Sequence, residues 1–579
     1  MVLKRRSEEP ECAHCSNPNT IHITVPSDSS SCPSVSQQCV ACSRVNELEL
    51  EVQEAIERVK QVISDLKRAK TEVNYQHSSI VKDFPPEILS AIFESYVSDT
   101  VASQIAVGGH YVRQNRILPV PMTLIQVCNH WRRVALSTPQ IWTTIALNLN
   151  LRREEEQLCF VRAWIARTRN FPLTVHLYFC SFLWHESVIP CLQAAVSSSA
   201  QWRHLYVSSL SESVMEFLDQ HIQRLPMLET LGILFSSMFS SSDSMPTNPL
   251  LARCKPAPKS IIFYGPCPPG KIGIQWEAVT TMRVEQLLTD ECISMVRSSP
   301  NLVTCIFEGI VYAVRVDFHS YHANRPVVEH TKIQHFSYSS PSCPAFIFFR
   351  LKLPNLRSLG FDCPDVHREN SDWQAGVPLF FERSGLTNLE VLRLPNHFPY
   401  RSQLKPLLSM APMLRHFILI SELRRKEKTS IRGLLADLQV LAAIGSGSDD
   451  PNHHFLPNLT VLEFHLDKMV FPWKYAPQCF WPRMLNASCR RPLSTLNVVD
   501  TTRGDYMVPQ GYETVRLVPS NISVILVSLK RRGYQVTFKS ESDGADLFES
   551  SVNNRKAGTD DDGILEYAND FAQMALCGQ

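Results

Sequence analysis

One spacing returns along most of the chain: an apolar residue, two of any kind, an apolar residue, one of any kind, and a third apolar residue. It occurs at Trp202/Leu205/Val207, Leu228/Leu231/Ile233, Leu302/Cys305/Phe307, Ile333/Phe336/Tyr338 and Leu356/Leu359/Phe361. It continues at Leu389/Leu392/Leu394, Leu414/Phe417/Leu419, Leu459/Leu462/Phe464 and Leu493/Leu496/Val498. Two degenerate copies, Pro258/Ile261/Phe263 and Val279/Met282/Val284, fill the long gap after Ile233. In a chain that is 44% apolar, a single triple arises by chance at roughly one site in twelve. The prefix carries the weight. Pro226, Pro300, Pro354, Pro412 and Pro457 each stand two residues before the first Leu, and Thr387 takes that place in another copy. Proline blocks helix continuation and pushes its neighbour towards extended backbone, so each prefix commits the next residues to a strand.

The segments ahead of several copies have helical spacing, as in Thr289–Arg297 and Gln403–Met410. Strand plus helix at irregular steps of about 21 to 45 residues resembles a leucine-rich-repeat solenoid, in which stacking supplies a core that no unit has alone. That reading spans residues 148–538. It leaves the outward strand positions (Arg357, Ser358, Glu390, Val391, Arg415, His416, Thr460 and Val461) free to meet a ligand. An irregular α/β domain without a true horseshoe is the alternative. At the front of the region a helix ends over Trp164–Asn170 and Pro172–Phe179 alternates as a strand; at its end, Ile522–Arg532 and Gly533–Phe538 read as a closing helix–strand pair. Beyond Lys539, nine acidic residues against Arg555 and Lys556 leave −7. Residues 539–579 therefore read as an acidic, mostly disordered tail with a short helix near Ile564–Ala575.

Residues 1–42 are polar and rich in Ser, Pro and Cys, the composition of a disordered segment. A heptad then sets in over 43–80, with Val45, Leu48, Val52, Ala55, Val59, Val62, Leu66, Ala69 and Val73 recurring by three and four. Glu51, Arg58, Asp65 and Glu72 stand just before each a-site. Such a stripe packs a single helix on its own domain or forms a coiled coil, which opens self-association through this helix; the alanines at two d-sites weaken the seam.

Residues 81–147 carry two motifs. In Asp83-Phe-Pro-Pro-Glu-Ile-Leu-Ser-Ala-Ile-Phe-Glu-Ser-Tyr-Val97, Asp83 can cap a helix, the prolines suit its first turn, and Ile88, Leu89, Ile92, Phe93 and Tyr96 form an apolar face. After a stretch with Gly108-Gly109 and Pro119-Val-Pro121 comes a second helix, in which Leu124, Val127, Cys128, Trp131 and Val134 keep helical spacing until Pro139 stops it. The pair FPPEILSAIF and VCNHWRRVALSTPQIW resembles the F-box, a short three-helix module that docks on the Skp-type adaptor of cullin–RING ubiquitin ligases. Phe84 replaces the usual leading Leu, and the segment Ser98–Pro121 is longer than in a minimal F-box and lacks the usual Asp-Leu step. The layout of heptad helix, F-box and leucine-rich repeats is similar to the large F-box-like family of mushroom-forming fungi. The resemblance implies that Pro85, Ile88, Leu89, Ile92, Phe93, Val127, Cys128 and Trp131 contribute to an adaptor-binding surface. An ordinary helical hairpin with a private core is the alternative.

Other chemistry finds little support. A formal charge of +1 argues against gripping nucleic acid by bulk electrostatics. No stretch has the roughly 18 apolar residues of a membrane helix, and the basic start Lys4-Arg5-Arg6 has no apolar region behind it, which argues against a secretory signal. The expectation is a cytoplasmic or nuclear protein, with Cys128, Cys159, Cys180, Cys191, Cys292 and Cys305 as free thiols in apolar patterns and the three N-glycosylation sequons as chance matches. Gly265-Pro-Cys-Pro-Pro-Gly-Lys271 has a phosphate-loop skeleton, but Pro266, Pro268 and Pro269 lack the N–H groups such a loop uses. His453-His454 reads as a solvated loop. Cys12, Cys15, Cys39 and Cys42 form two Cys-x-x-Cys pairs able to hold zinc, against the favoured reading of unstructured cysteines.

The fold class expected is therefore α+β and multidomain: an N-terminal coiled-coil helix, a small all-α F-box module, and an α/β repeat solenoid. No cofactor and no catalysis are expected. The function expected is substrate recognition for a Skp–cullin–RING ubiquitin ligase, with the adaptor and ligase core on the F-box and an unknown protein target on the repeats. The alternative is a non-catalytic repeat scaffold that never joins a ligase.

Overall fold

A computed structural model describes residues 40–77, 84–107, 120–149, 154–179, 188–210, 212–235, 249–265, 269–311, 326–340, 346–362, 372–395, 403–421, 428–438, 455–467, 471–480, 493–501, 518–541 and 544–553. The chain is mixed α and β, with a long N-terminal helix and a large parallel sheet. It divides into two units, Met1–Leu228 and Glu229–Gln579.

The first unit begins with α1 (Val40–His77), 38 residues without a glycine or proline. Exposed i,i+3 pairs line it: Arg44–Glu47 at 3.0 Å, Lys60–Glu57 at 2.7 Å and Arg68–Asp65 at 2.8 Å. The helical module follows. In α2 (Pro86–Val107) the first position is a proline, whose missing N–H costs nothing there, and Glu87 faces the positive end of the helix dipole. The helix runs on through Ser98–Val107.

The single helix expected after Met122 and stopped by Pro139 is two. α3 (Val120–Val127) and α4 (Asn129–Ser137) are separated by Cys128, which is extended (φ −157°, ψ 170°) and caps α4 through its thiol. A 3₁₀ turn, Pro139–Trp142, ends the module. Leu89, Phe93, Leu124, Val134, Ala135, Ile141 and Trp142 form its interior.

Trp142 ties this module to the next elements. Its Nε1 donates to Ala135 O at 2.8 Å, and its ring meets Trp164 edge-on at 4.7 Å. Trp164 in α5 (Glu154–Thr168) donates back to Trp142 O at 2.7 Å. β1 (Thr144–Asn148) pairs in parallel with β2 (Leu173–Tyr178), and β2 with β3 (Trp202–Leu210). α6 (Ile189–Val196) lies in sequence between β2 and β3, and α7 (Glu212–His221) follows β3. The boundary expected at 147/148 is thus crossed by a continuous sheet: Ile145 and Leu147, inside the helical segment as read from sequence, align with Val175 and Leu177.

In the second unit every strand of the main sheet is parallel to its neighbours, and strand order follows chain order. These strands are β4 (Thr230–Phe235), β5 (Ser260–Tyr264), β6 (Thr281–Glu285), β7 (Thr304–Glu308), β9 (His335–Ser339), β11 (Ser358–Asp362), β12 (Val391–Pro395), β13 (His416–Ser421), β14 (Val461–Leu466), β15 (Thr495–Asp500) and β16 (Gln535–Ser540). The short β8 (Val328–Glu329) and β10 (Leu351–Lys352) pair with each other apart from it.

All eleven apolar triples put their second and third residues on a strand. One register row runs through the second unit: Leu231, Ile261, Met282, Cys305, Phe336, Leu359, Leu392, Phe417, Leu462, Leu496 and Val536. None of these is more than 1% exposed.

The shared prefix has a second job besides stopping helices. Asn301, Asn355 and Asn458, each just before the first Leu of a triple, donate to the backbone carbonyls of Glu277 (2.7 Å), Thr331 (2.7 Å) and Pro412 (3.0 Å) one repeat earlier. Each amide therefore satisfies a turn carbonyl that strand pairing leaves open. α8 (Thr289–Ser298) lies where helical spacing was read, and α10 (Lys405–Ser409) covers the middle of Gln403–Met410; α9 (Asp372–Ser384) and α11 (Lys428–Asp437) add further helices between strands. The short α12 (Ala476–Cys479) lies between β14 and β15.

The unit closes with α13 (Ser520–Arg531), β16 and α14 (Leu547–Asn553). α14 lies inside the segment expected to be a tail from residue 539. Phe548, 2% exposed, anchors it, and Ser551 Oγ accepts from Val518 N at 3.0 Å. One buried aromatic outweighs an acidic composition over so short a helix. The helix expected near Ile564–Ala575 lies outside the described residues.

Candidate interaction surfaces

On the helical module, Ile88, Ile92 and Tyr96 succeed one another at four-residue steps and share one side of α2, and Phe84 stands just ahead of its first turn. All are exposed apolar groups, Ile88 at 47% and Ile92 at 44%. Pro85 is exposed at the same end, and its carbonyl accepts from Ile88 N and Leu89 N at 3.0 and 3.2 Å. Val127, at the end of α3, is 52% exposed.

The other four expected surface residues are less open: two are buried and two half-buried. Leu89 and Phe93 are 0% and 1% exposed and belong to the interior. The face read as one apolar stripe is wide enough to serve two purposes: 89, 93 and 97 turn inward while 84, 88, 92 and 96 turn outward. Trp131 is half-buried with its ring 5.0 Å from Phe93, and among the described residues its buried Nε1 has no hydrogen-bond partner. Cys128 is half-buried, and its Sγ accepts from Trp131 N at 3.4 Å. It holds a helix start, a role the spacing did not signal.

The second surface is the open side of the parallel sheet, where residues alternate with the buried rows. Its most connected polar group is Glu463 on β14. His465 Nε2 lies 2.5 Å from one carboxylate oxygen; His416 Nε2 on β13 lies 3.6 Å from the other, and Asn497 on β15 donates to that oxygen at 3.4 Å. Thr537 on β16 donates to Asn497 Oδ1 at 2.8 Å, so the chain of contacts crosses four strands. The His416 and His465 imidazoles beside it hold the Glu463 carboxyl well below the usual carboxylate range.

Along the leading edge of the same sheet, a groove of about 420 Å³ is lined in part by Lys332, Asn355, Arg357, Asn388, Glu390 and Met413. Arg357, an expected outward residue, pairs with Glu390 at 3.7 Å. Both charges are solvated, so the pair adds little stability.

In the first unit, His176 on β2 is 4% exposed and stacks on Tyr206 at 4.6 Å. Burial, with His204 nearby, pushes its pKa down to about 4. It is a neutral ring in a packed cluster at physiological pH.

Cys12, Cys15 and Cys39 lie outside the described residues, and Cys42 enters only as backbone in the first turn of α1. Among the described residues no group of three or more His, Cys, Asp or Glu side chains is arranged to hold a metal, and no helix is long and apolar enough to cross a membrane. Cys191, Cys292 and Cys305 are buried thiols as expected, whereas Cys159 is exposed on α5. His453-His454 and Cys180 lie outside the described residues. No family model matches the chain, and no curated protein matches it.

Proposed function

We propose that the chain is a substrate-recognition subunit of a Skp–cullin–RING ubiquitin ligase. On this reading the helical module docks the adaptor, and the parallel array is a leucine-rich-repeat solenoid that holds a protein target on its open face. The observation that carries the proposal is the outward stripe Phe84, Ile88, Ile92 and Tyr96, with Val127 also exposed, on a module whose interior is already filled by Leu89, Phe93 and Trp142. A stripe that the fold does not need for its own core is a partner site by default. Such a subunit has no reacting group. It raises the effective concentration of target near an enzyme carried elsewhere.

The test is co-expression of the full chain with a Skp-type adaptor and measurement of the affinity of the purified pair. Ile88→Ala with Ile92→Ala removes two anchors and leaves the interior intact. Each anchor is worth roughly 2 kcal/mol, so binding should weaken about a thousandfold. Leu89 is the wrong residue to change, because its loss opens the core. Wild-type affinity in the double variant, with its melting unchanged, refutes the docking role and leaves a repeat scaffold outside any ligase.

A further inference from the structure

α1 carries a second unfilled stripe. Its seam residues Val45, Leu48, Val59, Val62, Leu66 and Val73 are between 44% and 64% exposed. A helix of 38 residues is about 57 Å long, and helices in water draw most of their stability from packing an apolar face rather than from propensity. The chain therefore holds a long, regular, apolar seam in the open. We infer that this seam pairs with α1 of a second copy of the chain as a parallel, in-register coiled coil.

Two observations select this occupant. The first is the seam itself. The a-sites are Val45, Val52, Val59, Leu66 and Val73, four of them β-branched, which is the a-layer of two-stranded parallel coiled coils; of the d-sites Leu48, Ala55, Val62 and Ala69, Leu48 is the leucine that pattern pairs with it. The second is the charge pattern on the flanks. In a parallel, in-register pair each g residue faces the e residue five positions on in the other helix. Arg44 then faces Glu49, and Asp65 faces Lys70. Glu51 and Arg58 face Ile56 and Ile63. Two opposite pairs occur per flank and no like-charged pair arises. The e sites of the two charged pairs, Glu49 and Lys70, are exposed, whereas Ile56 is buried and Ile63 and the a-site Val52 are half-buried, so the open seam lies on either side of residues 52–56. The two d-site alanines let the backbones approach, and they make the pairing weaker than an all-leucine seam.

Sedimentation of the full chain over a concentration series reads the outcome directly. The native chain should reach twice the chain mass. Leu66→Asp sets two carboxylates against each other in the seam and should raise the dissociation constant at least about a hundredfold, with the β content unchanged. Lys70→Glu turns two symmetric attractions into repulsions, which should weaken association about tenfold, and Asp65→Lys added to it should restore the native value.

A native chain that stays monomeric to about 0.1 mM overturns the inference, since its own segments or nothing then cover the seam. A dimer indifferent to Leu66→Asp overturns it by locating the contact elsewhere. A Lys70→Glu defect that Asp65→Lys fails to rescue overturns the parallel register.

Discussion

Leu392 offers a direct test of the stacked sheet. It lies on β12 between Leu359 of β11 and Phe417 of β13 in the register row, and it is 0% exposed. Replacing it by alanine removes three buried carbons from a position whose neighbours on both sides are held by their own strands. The site cannot collapse around the gap, so the cost belongs in the middle of the 2–5 kcal/mol range for buried leucines, about 3 kcal/mol. The second unit contains roughly 350 residues. At about 2.1 cal/mol/K per residue its unfolding entropy is near 0.7 kcal/mol/K, so Tm should fall by about 4 °C. Arg393 is the internal control: the next residue on the same strand, exposed, and expected to change stability by less than about 0.5 kcal/mol on substitution by alanine. Differential scanning calorimetry of the full chain reads both. An unchanged Tm for Leu392→Ala, or an equal loss for Arg393→Ala, would refute the alternation of buried and open rows.

Three other perturbations probe the remaining packing. His176 is held neutral by burial with its pKa near 4, so the unfolded chain binds the extra proton between that value and the ordinary 6.5. Stability of the first unit should therefore be full above pH 6.5 and fall by about 3 kcal/mol on acidification to pH 4, and His176→Phe should flatten that slope in pH-dependent melts. Glu463 has the same sign of dependence in a lower pH range: its lowered pKa stabilises the fold above the usual carboxylate range, and the gain is lost on acidification below it. Glu463→Gln should remove that portion of the acid sensitivity in denaturant titrations at pH 3 and pH 6. Trp142→Phe loses the bond to Ala135 O and leaves that carbonyl only the 3.4 Å bond from Thr138 N, a cost of about 1 kcal/mol measurable by urea unfolding of the full chain.

The repeat strands were legible because two constraints coincide at each of them. Pro354 ends one conformation, and Leu356, Leu359 and Phe361 then demand burial on one side of an extended chain. Either signal alone is common; together they leave few alternatives. The break at Cys128 had no such redundancy. Leu124, Val127, Cys128, Trp131 and Val134 fit one continuous helix, and a cysteine is a poor advertisement for a cap. Only the extended φ and ψ of that residue show two helices. β1 was missed for a different reason. Ile145 and Leu147 do alternate with polar neighbours, but five residues following a helical motif read as its tail until β2 is seen beside them. Phe548 was hidden by its acidic surroundings, since charge counts average over a window and a single anchor does not.

The stripe proposed for docking divides along the same line. Composition and spacing placed Ile88, Leu89, Ile92 and Phe93 on a common apolar face of a helix, and all four are on α2. Hydrophobic periodicity cannot say which part of a wide face is spent on the helix's own domain, because burial in a core and burial against a partner select the same residue types. The allocation is set by where Trp131 and the 3₁₀ turn at Pro139–Trp142 stand in three dimensions. Phe93 meets Trp131 at 5.0 Å and is consumed by the core; Ile88 and Ile92, one position back on the wheel, are not. The same logic applies to α1, whose a/d seam stands 44% to 64% exposed at six positions. Two exposed stripes on one chain, one of about three turns at the start of α2 and one of about eight on α1, are consistent with two separate associations. The short stripe offers a compact cluster of large anchors, and the long one offers small β-branched residues with ordered flanking charge. Those are different chemistries, and a change that abolishes one association should leave the other at its native strength.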